Sequence, residues 1–138
     1  MTPPEPVTRR LLGVIFDFDG TVADTLRLVI SGFQEAVASV GGPALTDQDV
    51  YAHFGPTEAG MLRRAVGDRW EDAYRTYLHV YERDHGPYDH LFEGIPGIIA
   101  TLKSRGVRVG LVTGKGRDSA LISVARTGLD AHLRSEEH

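Results

Sequence analysis

A continuously apolar run, LLGVIF at residues 11–16, breaks directly into Asp17-Phe18-Asp19-Gly20-Thr21, and no other feature restricts the fold of this chain so strongly. The run is too short and too evenly apolar for an amphipathic helix, so it reads as a strand buried on both faces, the kind found in parallel sheets. Residues i and i+2 of an extended chain point to the same side. Asp17 and Asp19 are therefore expected together at the carboxyl end of a central strand, the edge where open α/β sheets bind ligands. Two ordinary alternatives fail. A calcium loop needs a bidentate Glu at its twelfth position, which counted from Asp17 is Leu28. A hairpin needs a second strand straight after the Asp-Gly turn, whereas Leu26, Val29, Ile30, Phe33, Val37 and Val40 follow at helical spacing.

Residues 1–8, with three prolines, are expected to form a flexible tail. Asp24 or Thr25 is placed to cap a helix that stops at Gly41-Gly42. Thr46 with Asp49 suggests a capping box for a short helix reaching about Phe54. A further helix is expected over residues 57–66, stopped by Gly67, and Asp68 then caps a longer one. Its stripe of Trp70, Ala73, Tyr74, Tyr77, Leu78 and Tyr81 suits packing in a helical bundle. After Gly86-Pro87 the pattern returns to α/β. Gly94-Ile95-Pro96-Gly97 opens a helix that ends at Gly106, VRVGLVT at residues 107–113 reads as a second buried strand, and GKGRDSALISVARTG supplies a helix closed by Gly128. The two strands are expected to be parallel neighbours, joined by the long crossover that parallel pairing requires.

The absence of cysteine excludes disulfides, thiolate metal sites and a cysteine nucleophile together. A net charge of −4 argues against nucleic acid as a partner. No run of eighteen apolar residues and no apolar h-region occur, so neither a membrane association nor a secretory signal is supported and a cytoplasmic location is expected. His79, His85 and His90 form no HExxH-type ligand set and read as solvated. Arg63 and Arg64 read as solvated surface, with a bidentate contact to a substrate anion as the alternative.

FDFDGTVADT at residues 16–25 resembles the first motif of the haloacid dehalogenase-like hydrolases, in particular their phosphoglycolate phosphatase-like branch, and LVTGK at residues 111–115 resembles their second. The first match is specific over about ten residues and the second gains weight from the helical stretch between them. The resemblance implies a Rossmann-like parallel sheet core with an inserted helical cap: core at residues 9–20 and 91–138, cap at 21–90. It also implies a phosphatase acting on a small phosphorylated metabolite.

A carboxylate can split the hydrolysis of a phosphate monoester by attacking phosphorus to form an aspartyl phosphate that water later cleaves. Asp17 is the expected nucleophile, by resemblance and by its place at the strand end. Asp19 is expected to protonate the leaving alkoxide and then deprotonate the attacking water. Two acids facing an anionic phosphate call for a divalent cation, and Mg2+ suits an oxygen-only site. The resemblance assigns the metal to the Asp17 side chain and the Asp19 backbone carbonyl. It gives the Thr113 hydroxyl and the Gly114 N–H to a phosphate oxygen, while Thr113-Gly114 is otherwise an ordinary strand-to-helix turn. Lys115 either adds positive charge near the phosphate or is a solvated residue at the helix start. Gly20 is expected to allow a close backbone approach beside the nucleophile.

Asp19 speaks against a true dehalogenase, which lacks this second acid, and no lysine between residues 22 and 90 could serve as the Schiff-base residue of a phosphonoacetaldehyde hydrolase. A phosphosugar mutase and a pyrophosphatase remain. After Gly128 the sequence departs from the family, with neither its later lysine nor its later acidic motif, and Glu136 and Glu137 lie in a polar stretch that no buried strand precedes. The core is therefore expected to be incomplete and the 138-residue chain a poor catalyst by itself. The rival class is a truncated, non-catalytic remnant, with a homo-oligomer or another partner covering the exposed sheet edge.

Overall fold

The computed structural model describes residues 1–4 and 9–134. The expectation of a flexible tail falls in part on residues 5–8, and the reading of Glu136 and Glu137 falls wholly outside the described residues.

Strand β1 (Gly13–Phe16) pairs in parallel with β2 (Arg108–Leu111), Gly13 opposite Arg108 and Phe16 opposite Leu111. The ladder continues past both ends, since Arg108 N donates to Leu12 O and Val112 N to Phe16 O. Parallel neighbours were expected; burial on both faces was not realised. Ile15 is 69% exposed and Val112 62% exposed. The pleat explains this, because Val14 and Phe16 turn toward the packed side while Ile15 points to the other, which is open among the described residues.

The long crossover is helical. Helix α1 (Leu26–Ser39) ends where Gly41 turns to φ +81°, so glycine is required there. The capping box of Thr46 and Asp49 is present and opens α2 (Asp47–Tyr51), which stops short of Phe54. Helix α3 (Glu58–Val66) starts at Thr57, whose hydroxyl accepts from Gly60 N. Asp68 does not cap the next helix. It lies inside a 3-10 turn, Gly67–Arg69, that runs straight into α4 (Trp70–Arg83), so that helix has no side-chain cap. Then follow α5 (Ile95–Ser104), β2, α6 (Arg117–Arg126) and α7 (Leu129–Leu133). Among the described residues no helix is long and apolar enough to cross a membrane.

Two apolar clusters organise these elements. Leu28, Ile30, Phe33, Leu62, Tyr77 and Tyr81 join α1, α3 and α4. Gly32 lets α1 approach the Tyr77 ring, which a β-carbon there would meet at 3.1 Å. Phe18, Val22, Ala23, Ile95, Ile99 and Leu129 form the second cluster, between the sheet, α5 and α7. Each large side chain so buried contributes on the order of 1.5–3 kcal/mol. The second cluster fixes the segment that carries the two acids.

Candidate active site

Phe18 is 1% exposed and anchors the loop after β1 in the second cluster. With Phe18 turned inward, its neighbours Asp17 and Asp19 line the same pocket. Asp17 is exposed, and its Oδ1 accepts from Phe18 N at 2.8 Å. Asp19 Oδ1 accepts from the Thr25 hydroxyl at 2.5 Å. Thr25, one of the two residues expected to cap α1, stands at its N-cap position without a side-chain cap bond; it is fully buried and orients the second acid. Gly20 has φ +76°, and its N–H donates to Ala23 O at 2.9 Å. Among the described residues, its chain neighbours apart, no atom lies within 4 Å of where its β-carbon would be. The turn therefore demands glycine for its backbone conformation.

The second motif follows β2. Thr113 Oγ1 accepts from Lys115 N at 3.0 Å, which closes the turn and leaves the hydroxyl hydrogen free to donate. Gly114 is exposed beside it. The Lys115 side chain is 0% exposed, which rules out the solvated alternative. Its Nζ stands 3.5 Å from Asp19 Oδ1, 3.4 Å from Glu58 Oε1 and 4.3 Å from the centre of the Tyr81 ring. It has no hydrogen-bond partner within the described structure. Burial pulls the ammonium toward neutrality, but Tyr81, Asp19 and Glu58 outweigh it and hold the Lys115 pKa above its ordinary value.

Glu58, in the first turn of α3, had no place in the sequence reading. It is 4% exposed. Its Oε2 accepts from Gly116 N at 2.5 Å, and its Oε1 from the Ser119 hydroxyl at 2.6 Å and the Tyr77 hydroxyl at 3.3 Å. Burial would raise its pKa, yet Lys115, Ser119 and backbone N–H groups prevail and lower it. The carboxylate thus occupies the positive end of α6, which favours an anion. Gly116 makes room for it, since a β-carbon there would lie 2.6 Å from Oε2. In sequence Glu58 shows only as an acid after an N-cap, which any helix start tolerates.

His85 corrects another expectation: it is 0% exposed rather than solvated. Its Nδ1 meets Asp89 Oδ1 at 2.7 Å and its Nε2 meets the Ser123 hydroxyl at 2.8 Å. Ser123 also bonds the Tyr81 hydroxyl at 2.5 Å, and Arg126 grips Asp89 through two nitrogens. The Tyr81 end of the aromatic stripe therefore does more than pack, because this chain fixes the ring that faces Lys115. Arg63 and Arg64 are exposed, and the Arg63 guanidinium lies 4.1 Å from the Trp70 ring centre. Neither lines the pocket.

Asp17, Asp19, Glu58, Thr113, Gly114 and Lys115 surround one cavity of about 270 Å³, completed by Leu26, Val29, Phe54, Gly55, Pro56 and Met61. The two motifs, distant in sequence, thus meet at one sheet edge. Such a cavity can seat one phosphoryl group between two acids and a buried ammonium.

Residues 14–135 match the haloacid dehalogenase-like hydrolases. The chain is 32% identical over 124 residues to the putative pyrophosphatase PpaX of Caldanaerobacter subterraneus subsp. tengcongensis, covering 90% of this chain and 56% of that protein. It is 32% identical over 122 residues to the tyrosine-protein kinase PtkA of Mycobacterium tuberculosis, covering 87% of this chain and 42% of that one. Its fold is similar to CbbY from Rhodobacter sphaeroides in complex with phosphate, with a TM-score of 0.73 at 18% identity over 86% of this chain and 58% of the other. That last likeness is one of fold. The chain spans about half the length of the curated relatives it matches.

Proposed function

The chain belongs to the haloacid dehalogenase-like hydrolases, and from that premise we propose that it is a magnesium-dependent phosphohydrolase acting on a small phosphorylated metabolite through an aspartyl phosphate on Asp17. The observation that carries this reading is Lys115, a residue of the pocket with both acids, whose ammonium is shielded from solvent and has no hydrogen-bond partner in the described structure. A buried ammonium that has ion-pair partners but no hydrogen-bonded acceptor is costly, and a phosphate oxygen would supply that acceptor.

Asp17 and Asp19 offer only oxygen, the donor type Mg2+ takes, and most of its shell would have to come from water and phosphate, because among the described residues no group of three or more His, Cys, Asp or Glu that could hold a metal ion is present. Magnesium is suited to such a site, taking one or two carboxylates and completing its shell with water and phosphate oxygens. The Asp17 carboxylate and the Asp19 carbonyl would hold it. When bound it supplies charge neutralisation for the phosphoryl group beside two acids.

The chain's own residues then divide the work. An Asp17 oxygen attacks phosphorus as the bond to the leaving oxygen breaks, and Asp19 gives that oxygen a proton. The recorded contacts of Asp19 fall on Oδ1, leaving Oδ2 for the proton. Asp19, now a base, takes a proton from the water that attacks the aspartyl phosphate, releasing phosphate and restoring Asp17. Thr113 and Gly114 donate to the phosphoryl oxygens, and Lys115 offsets their charge.

The test is release of inorganic phosphate from p-nitrophenyl phosphate as magnesium is titrated, with wild-type protein and Asp17→Asn. Weak, magnesium-dependent release that Asp17→Asn abolishes is expected. Release that survives this substitution would overturn the assignment, because an amide cannot form the aspartyl phosphate.

A further inference from the structure

Among the residues that line the pocket, Lys115 is the one cation, set against the carboxylates of Asp17, Asp19 and Glu58. It is already engaged by two of them. A magnesium ion and a single phosphoryl dianion would leave the site with about the negative charge of that phosphoryl group. A second anion, whether the carboxylate of a phosphoglycolate or the further phosphoryl of a pyrophosphate, would add charge with no further cation among the lining residues to offset it. Arg27, next to Leu26 of the lining, pairs with Asp47, and Arg63, two residues after Met61, rests on Trp70.

Apart from Thr113, Gly55 and Gly114, the remaining lining is apolar: Leu26, Val29, Phe54, Pro56 and Met61. Val29 is 6% and Met61 3% exposed, so this surface is a formed wall, while Phe54 at 37% exposure stands where the cavity meets solvent. The 270 Å³ of space equals roughly nine waters at ~30 Å³ each, room for one phosphoryl group and a leaving group about the size of a ring. Resting on the phosphohydrolase reading above, we propose that the pocket selects monophosphate esters whose leaving group is compact, uncharged and apolar or aromatic, and disfavours substrates that carry a second anionic group.

Calorimetric titration of the wild-type chain in excess magnesium, near neutral pH, tests this with inorganic phosphate, phenyl phosphate, 2-phosphoglycolate and pyrophosphate. Phenyl phosphate is expected to bind at least about tenfold more tightly than either competitor that carries a second anionic group, a gap of about 1.4 kcal/mol. Phe54→Arg, which places a cation at the exposed rim, is expected to close that gap. Melting temperature in each ligand gives a second readout that needs no turnover. Equal or tighter binding of 2-phosphoglycolate or pyrophosphate by wild type overturns the selectivity while leaving the phosphohydrolase reading in place. Failure of all four ligands to bind, inorganic phosphate included, overturns that reading and the selectivity with it.

Discussion

The ammonium of Lys115 stands 3.4 Å from Oε1 of Glu58, in a buried ion pair that ties the first turn of α3 to the turn before α6. The same lysine reaches Asp19 at 3.5 Å. One side chain therefore couples the helical crossover, the second motif and the acid pair.

Removing one partner of such a pair strands the other charge in a poorly solvated place, at a cost of about 3–5 kcal/mol. Glu58→Gln and Lys115→Met should each lower the urea midpoint clearly, and the double variant should lose much less than the sum of the two. Additive losses in this double-mutant cycle would show that the pair is not coupled.

The pair should also set the pH limits of stability. The Glu58 pKa is lowered on folding, so its contribution is present above its ordinary value of 4.5 and is lost as pH falls through the folded value. The Lys115 pKa is raised, so its contribution is full below 10.5 and is lost as pH rises through the folded value. Urea titrations from acid to alkaline pH should show both limbs, and Lys115→Met should flatten the alkaline one.

Gly116 and Gly114 provide a matched contrast. A methyl group at Gly116 would sit 2.6 Å from Glu58 Oε2, whereas at Gly114 it would meet nothing within 4 Å. Gly116→Ala should cost about 1–3 kcal/mol, as overpacking usually does, and weaken binding of inorganic phosphate. Gly114→Ala should leave the denaturation midpoint nearly unchanged. Equal midpoints for the two variants would contradict the close approach of Glu58.

Phe18 and Ile15 separate the packed side of the sheet end from the open one. Phe18→Ala removes a side chain that is 1% exposed and should cost about 3–5 kcal/mol. Ile15→Thr alters one that is 69% exposed and should shift stability by less than about 1 kcal/mol. Chemical denaturation of the two variants measures both.

Local rules were enough for much of the chain. An apolar run broken by Asp-x-Asp-Gly, two residues per strand repeat, places Asp17 and Asp19 together without any distant contact, and the apolar spacing of residues 26–40 makes the next segment a helix. The capping box at Thr46 and the stops at Gly41, Gly67 and Gly106 likewise depend on backbone geometry a few residues long. Burial and charge pairing do not. Whether Lys115 meets water or carboxylates depends on α3 reaching the second motif, and Glu58 gains its role from partners contributed by α4, α6 and the turn before α6. His85 is buried because Ser123 and Asp89 satisfy both ring nitrogens, a condition set across separate elements. Ile15 lies open for the same reason in reverse, since the sequence specifies which way a strand residue points but tertiary packing alone decides whether anything covers it.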